Sequence, residues 1–172
     1  KTYLKEWRER IGDEAADRIS NNSAKRGTNM HQMCEDYLNN NPLSIKMPDA
    51  LEMFYSLKPI LNRINNIHCQ EKALYSHKIK IAGSVDCIGE FDEVLSVIDF
   101  KNSRRVKTEE NIFDYFLQAT FYALAYQEMT GIKIQQIVII IAVEDEKPQY
   151  FIKQIRPYIA ELVNRRKMFD LL

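Results

Sequence analysis

The chain lacks net charge, because its 172 residues carry 24 lysines and arginines against 24 aspartates and glutamates. Nothing at the level of the whole chain therefore indicates a nucleic-acid or membrane surface. Its three cysteines are scattered without a C-x-x-C pair, which argues against a disulfide framework or a zinc ribbon and favours a reducing compartment. The longest purely apolar run, Ile137 to Val143, is too short to cross a bilayer. The five glycines form no phosphate-binding loop, and no Gly-x-Ser-x-Gly elbow marks a serine nucleophile.

What the chain does contain is enough apolar sequence, 45%, for one domain spanning residues 1–172. Apolar residues at three- and four-residue steps predict a helical N-terminal part, residues 1–67. We expect one helix over 3–19, ended by Asn21-Asn22-Ser23, and a second over 28–38. A third helix should open at Pro48, bend at Pro59 and continue to Ile67.

The second part, residues 71–172, has the composition of strands and helices in succession. Strands are predicted over 73–81, on both sides of Asp92-Glu93, over 135–142 and over 150–155. Helices are predicted over 111–130, ended by Gly131, and from Pro157 to 169. We therefore predict an α/β fold, with a central mixed β-sheet flanked by α-helices and an N-terminal helical segment.

The most informative stretch is the hairpin around Asp92-Glu93. If that pair is the centre of the turn, Asp86 stands opposite Asp99, and Lys101 shares the face of Asp99. Opposed carboxylates repel each other, and a hard divalent cation between them removes the repulsion. Two alternatives remain open at this point: a solvated strand face, and a bulge that turns one aspartate to the other side.

Two pairs of polar residues stand four positions apart on predicted helices and so share a face. His31 and Glu35 fit either a metal site or an ordinary helix contact. Gln118 and Tyr122 fit either a site or a polar stripe beside apolar neighbours.

Two basic segments stand beside these pairs. The helix start that contains Arg26 attracts anions. The basic run that follows the hairpin, from Lys101 to Lys107, fits a solvated face or a phosphate-binding surface.

Four elements, taken together and in order, resemble the PD-(D/E)XK nuclease superfamily: Gly27-Thr-Asn-Met-His31, Gly83-Ser-Val-Asp86, Asp99-Phe-Lys101 and Gln118-Ala-Thr-Phe-Tyr122. They are most similar to its RecB-like exonuclease branch, which has mitochondrial and phage members. The short D-x-K element is weak by itself, whereas four elements over about residues 25 to 127 are specific. The resemblance implies a restriction-endonuclease-like core and a metal-dependent DNA exonuclease, in a phage or in DNA repair or recombination.

The resemblance also implies roles for individual residues. Asp86, Asp99 and the backbone carbonyl of Phe100 would bind metal, and His31 would help to bind a second ion. Lys101 would be the active-site lysine. The other residues implied are Gln118 and Tyr122, which contact the DNA backbone or orient Lys101; Glu35 and Ser103, at further motif positions; and the DNA-binding set Arg26, Arg104, Arg105 and Lys107.

For cofactors, the resemblance implies one or two Mg²⁺ or Mn²⁺ ions. It implies no iron–sulfur cluster, because such clusters need four cysteine ligands and the chain has three cysteines. The expected partner is DNA that is single-stranded or has a free end, with no membrane, and protein partners stay open. The expected location is the cytoplasm of a bacterial or phage-infected cell, with a mitochondrial origin also open.

Two other functions compete with the exonuclease. One is a structure- or sequence-specific endonuclease on the same fold. The other is a catalytically inactive DNA-binding module, which predicts that Asp86, Asp99 or Lys101 has been replaced, whereas all three are present.

Overall fold

The computed structural model describes residues 2–170. Its helices are α1 (Thr2–Ile11), α2 (Asp13–Leu38), α3 (Pro48–Leu61), α4 (Phe113–Thr130) and α5 (Arg156–Asp170). Its strands are β1 (Ile64–Ser76), β2 (Ile81–Phe91), β3 (Val94–Ser103), β4 (Gln136–Val143) and β5 (Gln149–Gln154). Across this described part, every helix is too short or too polar to cross a membrane.

Contacts within the chain divide it into two compact units, residues 1–52 and residues 53–172, with the boundary inside α3. That the whole chain forms one domain stays a prediction.

In the N-terminal unit, the break between the first two helices lies at Gly12, whose φ of 86° is left-handed. The prediction that Asn21-Asn22-Ser23 ends a helix was wrong, because α2 runs through these residues to Leu38. Asn21 and Asn22 are exposed on α2. The helix propensity of asparagine is only a few tenths of a kcal/mol below that of good helix formers, so packing of the buried side of α2 outweighs it.

The loop between α2 and α3 has no regular structure, but two buried side chains of α2 hold it. Asn29 donates from Nδ2 to the carbonyl of Ser44 at 2.6 Å, and its Oδ1 accepts from the backbone N–H groups of Lys46 and Met47. Asp36 accepts from the N–H of Ser44 at 2.9 Å. These side chains therefore pair four backbone groups of the loop that no regular element pairs.

The C-terminal unit is built on a five-stranded sheet in the order β1-β2-β3-β4-β5. Three of the four pairings are antiparallel, and β3 pairs with β4 in parallel. A parallel pair needs a crossover, which α4 supplies. The predicted mixed sheet flanked by helices is confirmed, including β4, which is buried on both faces except at its first residue.

The beginning of the sheet differs from the prediction. Helix α3 ends at Leu61, soon after Pro59, and the residues up to Ile67 belong to β1 rather than to a helix. The predicted strand over 73–81 is the end of β1, the turn 77–80 and the first residue of β2. Glu128 of α4 holds this turn by accepting hydrogen bonds from Ser76 Oγ and the His77 N–H, both at 2.7 Å. Such a contact, about fifty residues away in sequence, leaves no local pattern.

The later elements lie where the sequence predicts them. Helix α4 ends at Thr130, and Gly131 follows in the left-handed conformation with a φ of 76°. Strands β4 and β5 match their predictions to within one residue at each end, and Pro157 stands in the first turn of α5.

Candidate active site

The hairpin of β2 and β3 places Asp86 and Asp99 at corresponding positions on neighbouring strands. Asp92 and Glu93 form the turn, both with the left-handed φ that a two-residue hairpin requires. Pairing runs regularly from the turn as far as Cys87 and Ile98, so the next two residues are Asp86 and Asp99. There the Asp86 carboxylate accepts a 2.7 Å hydrogen bond from the backbone N–H of Phe100.

The face alternation of β2 is less regular than predicted. Val85 and Ile88 both pack into the core cluster formed with α4, although residues three apart on a regular strand point to opposite faces. Gly83 also lies against α4, so Ser84 is not on the same face as Gly83 and Val85. A local irregularity at Asp86 therefore exists, which is one of the alternatives left open by the sequence. The charge of Asp99 nevertheless acts on Asp86, because burial and this charge together raise the pKa of that carboxyl.

The two aspartates differ in their surroundings. Asp99 is 3% exposed, and its Oδ2 is buried without a hydrogen bond of good geometry, although Lys101 Nζ lies 2.9 Å away as an ion pair. Burial, and then the charge of Asp99, raise the pKa of Asp86 to about 8, against the opposing effect of the Phe100 N–H. Two opposed carboxylates with a buried oxygen of this kind fit a hard divalent cation, which prefers oxygen ligands.

Lys101 is held by a chain of side chains from α4. Its Nζ donates to Gln118 Oε1 at 2.9 Å, and Gln118 Nε2 donates to the Tyr122 hydroxyl at 3.2 Å. The ammonium also lies 4.8 Å from the centre of the Tyr115 ring, a contact that no sequence motif predicts. Burial, and then the charges of Asp99 and Asp86, raise the pKa of Tyr122 to about 12, so this phenol stays neutral. Gln118 thus joins β3 to α4 at the lysine.

Gly83 is required by the close approach of α4. A Cβ on Gly83 would lie 3.1 Å from Tyr122 Cε1 and 3.4 Å from Phe121 Cε1. Beside it opens a cleft of about 370 Å³, lined among others by Gly83, Gln118, Tyr122 and Arg165. The glycine therefore lets Tyr122 reach Gln118 and forms one wall of the cleft.

Comparison with known proteins agrees with this geometry. The model of the PD-(D/E)XK nuclease superfamily matches residues 47–167, well over half of the chain. The chain belongs to this superfamily. The matched range contains Asp86, Asp99, Lys101, Gln118 and Tyr122.

Among its relatives are the mitochondrial genome maintenance exonuclease 1 proteins of Mus musculus and Homo sapiens. The chain is 26% identical to the mouse protein over 157 residues, which are 86% of this chain and 46% of the relative. The human protein is 25% identical over the same length. The chain therefore spans about half the length of these relatives.

Among solved structures, the superfamily member is similar to a protein from Eubacterium rectale described as a candidate exonuclease. The TM-score is 0.50 and the identity 10%, with 97% of this chain and 63% of that chain covered. At this identity the likeness shows the fold alone.

In this superfamily member, the predicted residues His31, Glu35 and Arg26 belong to the N-terminal unit. His31 and Glu35 are half-buried on α2, and Gln32 Nε2 lies 3.4 Å from a Glu35 carboxylate oxygen. Arg26 lies in the interior of α2, so the predicted helix start at this residue was wrong. It forms an ion pair of 3.2 Å with Asp49, and its side chain is 13% exposed. The roles that the resemblance gives to these three residues stay predictions.

The basic segment after β3 is an ordered loop. Ser103 Oγ donates to the carbonyl of Arg105 at 2.6 Å and accepts from its N–H, which turns the chain. Arg104 and Arg105 are exposed, and Lys107 exchanges two backbone hydrogen bonds with the side chain of Gln149. Gln149 lies forty-two residues from Lys107 in sequence, so no local pattern predicts this contact.

Proposed function

We propose that this protein is a metal-dependent deoxyribonuclease that removes nucleotides from the ends of DNA. The observation that carries the proposal is the joining of Asp86, Asp99, Lys101 and Gln118 in one site on a nuclease fold. The exonuclease names of the mouse and human relatives support end-directed cleavage.

The metal site we propose consists of the carboxylates of Asp86 and Asp99 and the backbone carbonyl of Phe100. One or two Mg²⁺ or Mn²⁺ ions bound there would supply a hydroxide near neutral pH and stabilise the leaving oxygen. Lys101 then holds its positive charge beside the scissile phosphate, since Asp99 and Gln118 both fix its Nζ. Tyr122, which is 4% exposed, orients Gln118 rather than binding DNA directly.

We further propose that His31 helps to bind the second ion. A nitrogen ligand among oxygens is better suited to Mn²⁺ than to Mg²⁺. His31→Ala should therefore weaken Mn²⁺-supported cleavage more than Mg²⁺-supported cleavage. Glu35→Gln, one helical turn further along α2, is the variant for comparison. A loss of thermal stability with unchanged metal dependence would assign His31 to a helix contact instead.

Binding of DNA must come from local charge, because the chain has no net charge. The exposed Arg104 and Arg105, with Lys107, follow β3 directly and supply that charge. In this proposal these basic groups line one side of a DNA-binding groove, and a groove with only a few basic groups favours a single strand over an intact duplex. We therefore propose a preference for single-stranded ends and a steep loss of activity as salt rises.

Digestion of end-labelled linear DNA and closed circular DNA, both single-stranded, tests the proposal. With Mg²⁺ or Mn²⁺ the linear DNA should lose its label and the circle should survive, whereas chelator or Asp99→Asn should abolish both reactions. Rapid cutting of circular DNA would show that the protein is an endonuclease and not an exonuclease. Absence of cleavage with either metal would leave a DNA-binding module.

The proposed location is a reducing compartment. Cys34, Cys69 and Cys87, which all lie among the described residues, form no disulfide, and this supports the cytoplasm or the interior of a mitochondrion.

A further inference from the structure

Glu71 of β1 stands directly opposite Asp86 on the neighbouring strand. Gln70 pairs with Cys87 and Lys72 pairs with Val85, so the register places Glu71 across from Asp86. A carboxylate oxygen of Glu71 and one of Asp86 lie within 4.8 Å of each other. Like charges placed directly opposite each other destabilise a sheet.

Three neighbouring strands therefore contribute one carboxylate each to a single row: Glu71 from β1, Asp86 from β2 and Asp99 from β3. Lys101 offsets one of the three charges through its 2.9 Å contact with Asp99. The row also contains the Asp99 Oδ2, which is buried and accepts no hydrogen bond of good geometry. Divalent cations bound along such a row would reduce the repulsion between its carboxylates.

The backbone of β1 changes at this point in the strand. Cys69 and Leu74 both pack toward the core cluster formed with α4, although residues five apart on a regular strand point to opposite faces. Glu71 lies between them with a left-handed φ of 46°, which a non-glycine residue rarely adopts. The alternation of side chains between the two faces of β1 is therefore interrupted near Glu71, beside Asp86. In β2 it is interrupted between Val85 and Ile88.

We propose that Glu71 is a third carboxylate of the metal site, and that Asp86, the middle residue of the row, is shared by two divalent cations. One cation lies between Asp86 and Asp99, and the other between Asp86 and Glu71. This inference rests on the proposed function. It adds a ligand that the family motifs of this sequence do not include.

Titration of the full chain with MnCl₂ by calorimetry tests the role of Glu71. The wild-type protein should bind two Mn²⁺ ions, and Glu71→Gln should retain one site while the other weakens at least about tenfold. Glu90→Gln is the matched control, because it removes the same charge from β2 away from the row. Wild-type binding in Glu71→Gln would overturn the inference, and it would leave the proposed nuclease intact.

Electron paramagnetic resonance of the wild-type protein gives a second measurement that does not depend on any variant folding. Two Mn²⁺ ions that share Asp86 should give a spin-coupled spectrum at two equivalents. Two uncoupled ions, or a single ion in a protein that still cleaves DNA, would overturn the role of Glu71 alone. A wild-type protein that binds no Mn²⁺ and cleaves no DNA would overturn the proposed function as well.

Discussion

Lys101 of β3 and Gln118 of α4 are joined by a hydrogen bond of 2.9 Å from Nζ to Oε1. Because Asp99 holds the same ammonium from the other side, the lysine is fixed by two elements of the fold. A side chain fixed in this way can act on a substrate without first losing the conformational entropy of a free lysine.

Lys101→Ala should lower turnover about a hundred- to a thousand-fold, the usual effect of removing an electrostatic donor. Metal binding measured by calorimetry should persist, because the lysine contributes charge to the reaction and not a ligand to the ion. Lys153→Ala is the control, since its ammonium pairs with Glu109 instead of an aspartate of the site. Near-normal turnover in Lys101→Ala would mean that the D-x-K match is accidental.

Gln118→Ala should also lower kcat, because it removes the α4 partner of Lys101. Tyr122→Phe should cost less, about tenfold at most, since it deletes a single hydrogen bond to Gln118 worth about 1 kcal/mol. Single-turnover rates at saturating DNA measure both effects. A larger loss in Tyr122→Phe than in Gln118→Ala would show that the hydroxyl contacts the substrate.

Gly83→Ala should impair the enzyme without removing any polar group. Its Cβ would meet Tyr122 Cε1 at 3.1 Å and Oη at 3.3 Å, so the Tyr122 ring, whose hydroxyl accepts a hydrogen bond from Gln118, must move to make room. We expect a loss of about 1–3 kcal/mol in the free energy of unfolding, together with slower cleavage. Denaturant unfolding should show no comparable change for Ser84→Ala, an exposed neighbour. Wild-type stability and rate in Gly83→Ala would refute the close packing.

The pKa of Asp86, raised to about 8, predicts how stability depends on pH without metal. The folded state binds the proton of Asp86 more tightly than the unfolded state, in which the pKa of this aspartate is near 3.8. The free energy of unfolding should therefore fall as pH rises from about 4 to about 8.

Asp86→Asn should therefore unfold at higher temperature than the wild-type protein at pH 8 in chelator, and the difference should shrink toward pH 4. A gain of about 1 kcal/mol would raise Tm by about 2–4 °C in a chain of this length. Thermal unfolding at both pH values measures the effect. A variant that is less stable than the wild-type protein at pH 8 would show that the charge of Asp86 is already compensated.

Local sequence was sufficient for features that depend on neighbouring residues. The turn at Asp92-Glu93 predicted the pairing of β2 with β3, and alternation then placed Lys101 beside Asp99. Gly131 ended α4 as expected.

Features that depend on distant residues were missed. The carboxylate of Glu128 decides where β1 turns, and packing decides that α2 continues through Asn21. Glu71 was also missed. The sequence predicted a helix up to Ile67 and a strand only from residue 73, so residue 71 lay outside both elements. Its position opposite Asp86 follows only from the observed pairing of β1 with β2. A single sequence carries no local signal for such contacts.

The parallel pairing of β3 with β4 sets the order in which the site can assemble. The hairpin that carries both aspartates closes through a two-residue turn, whereas Ser96 and its β4 partner Gln136 are forty residues apart. Closing the longer loop costs more chain entropy and is the slower event. The two acidic groups therefore come together early, and Lys101 gains its amide partner only when α4 docks. During refolding, ion binding should recover before catalysis.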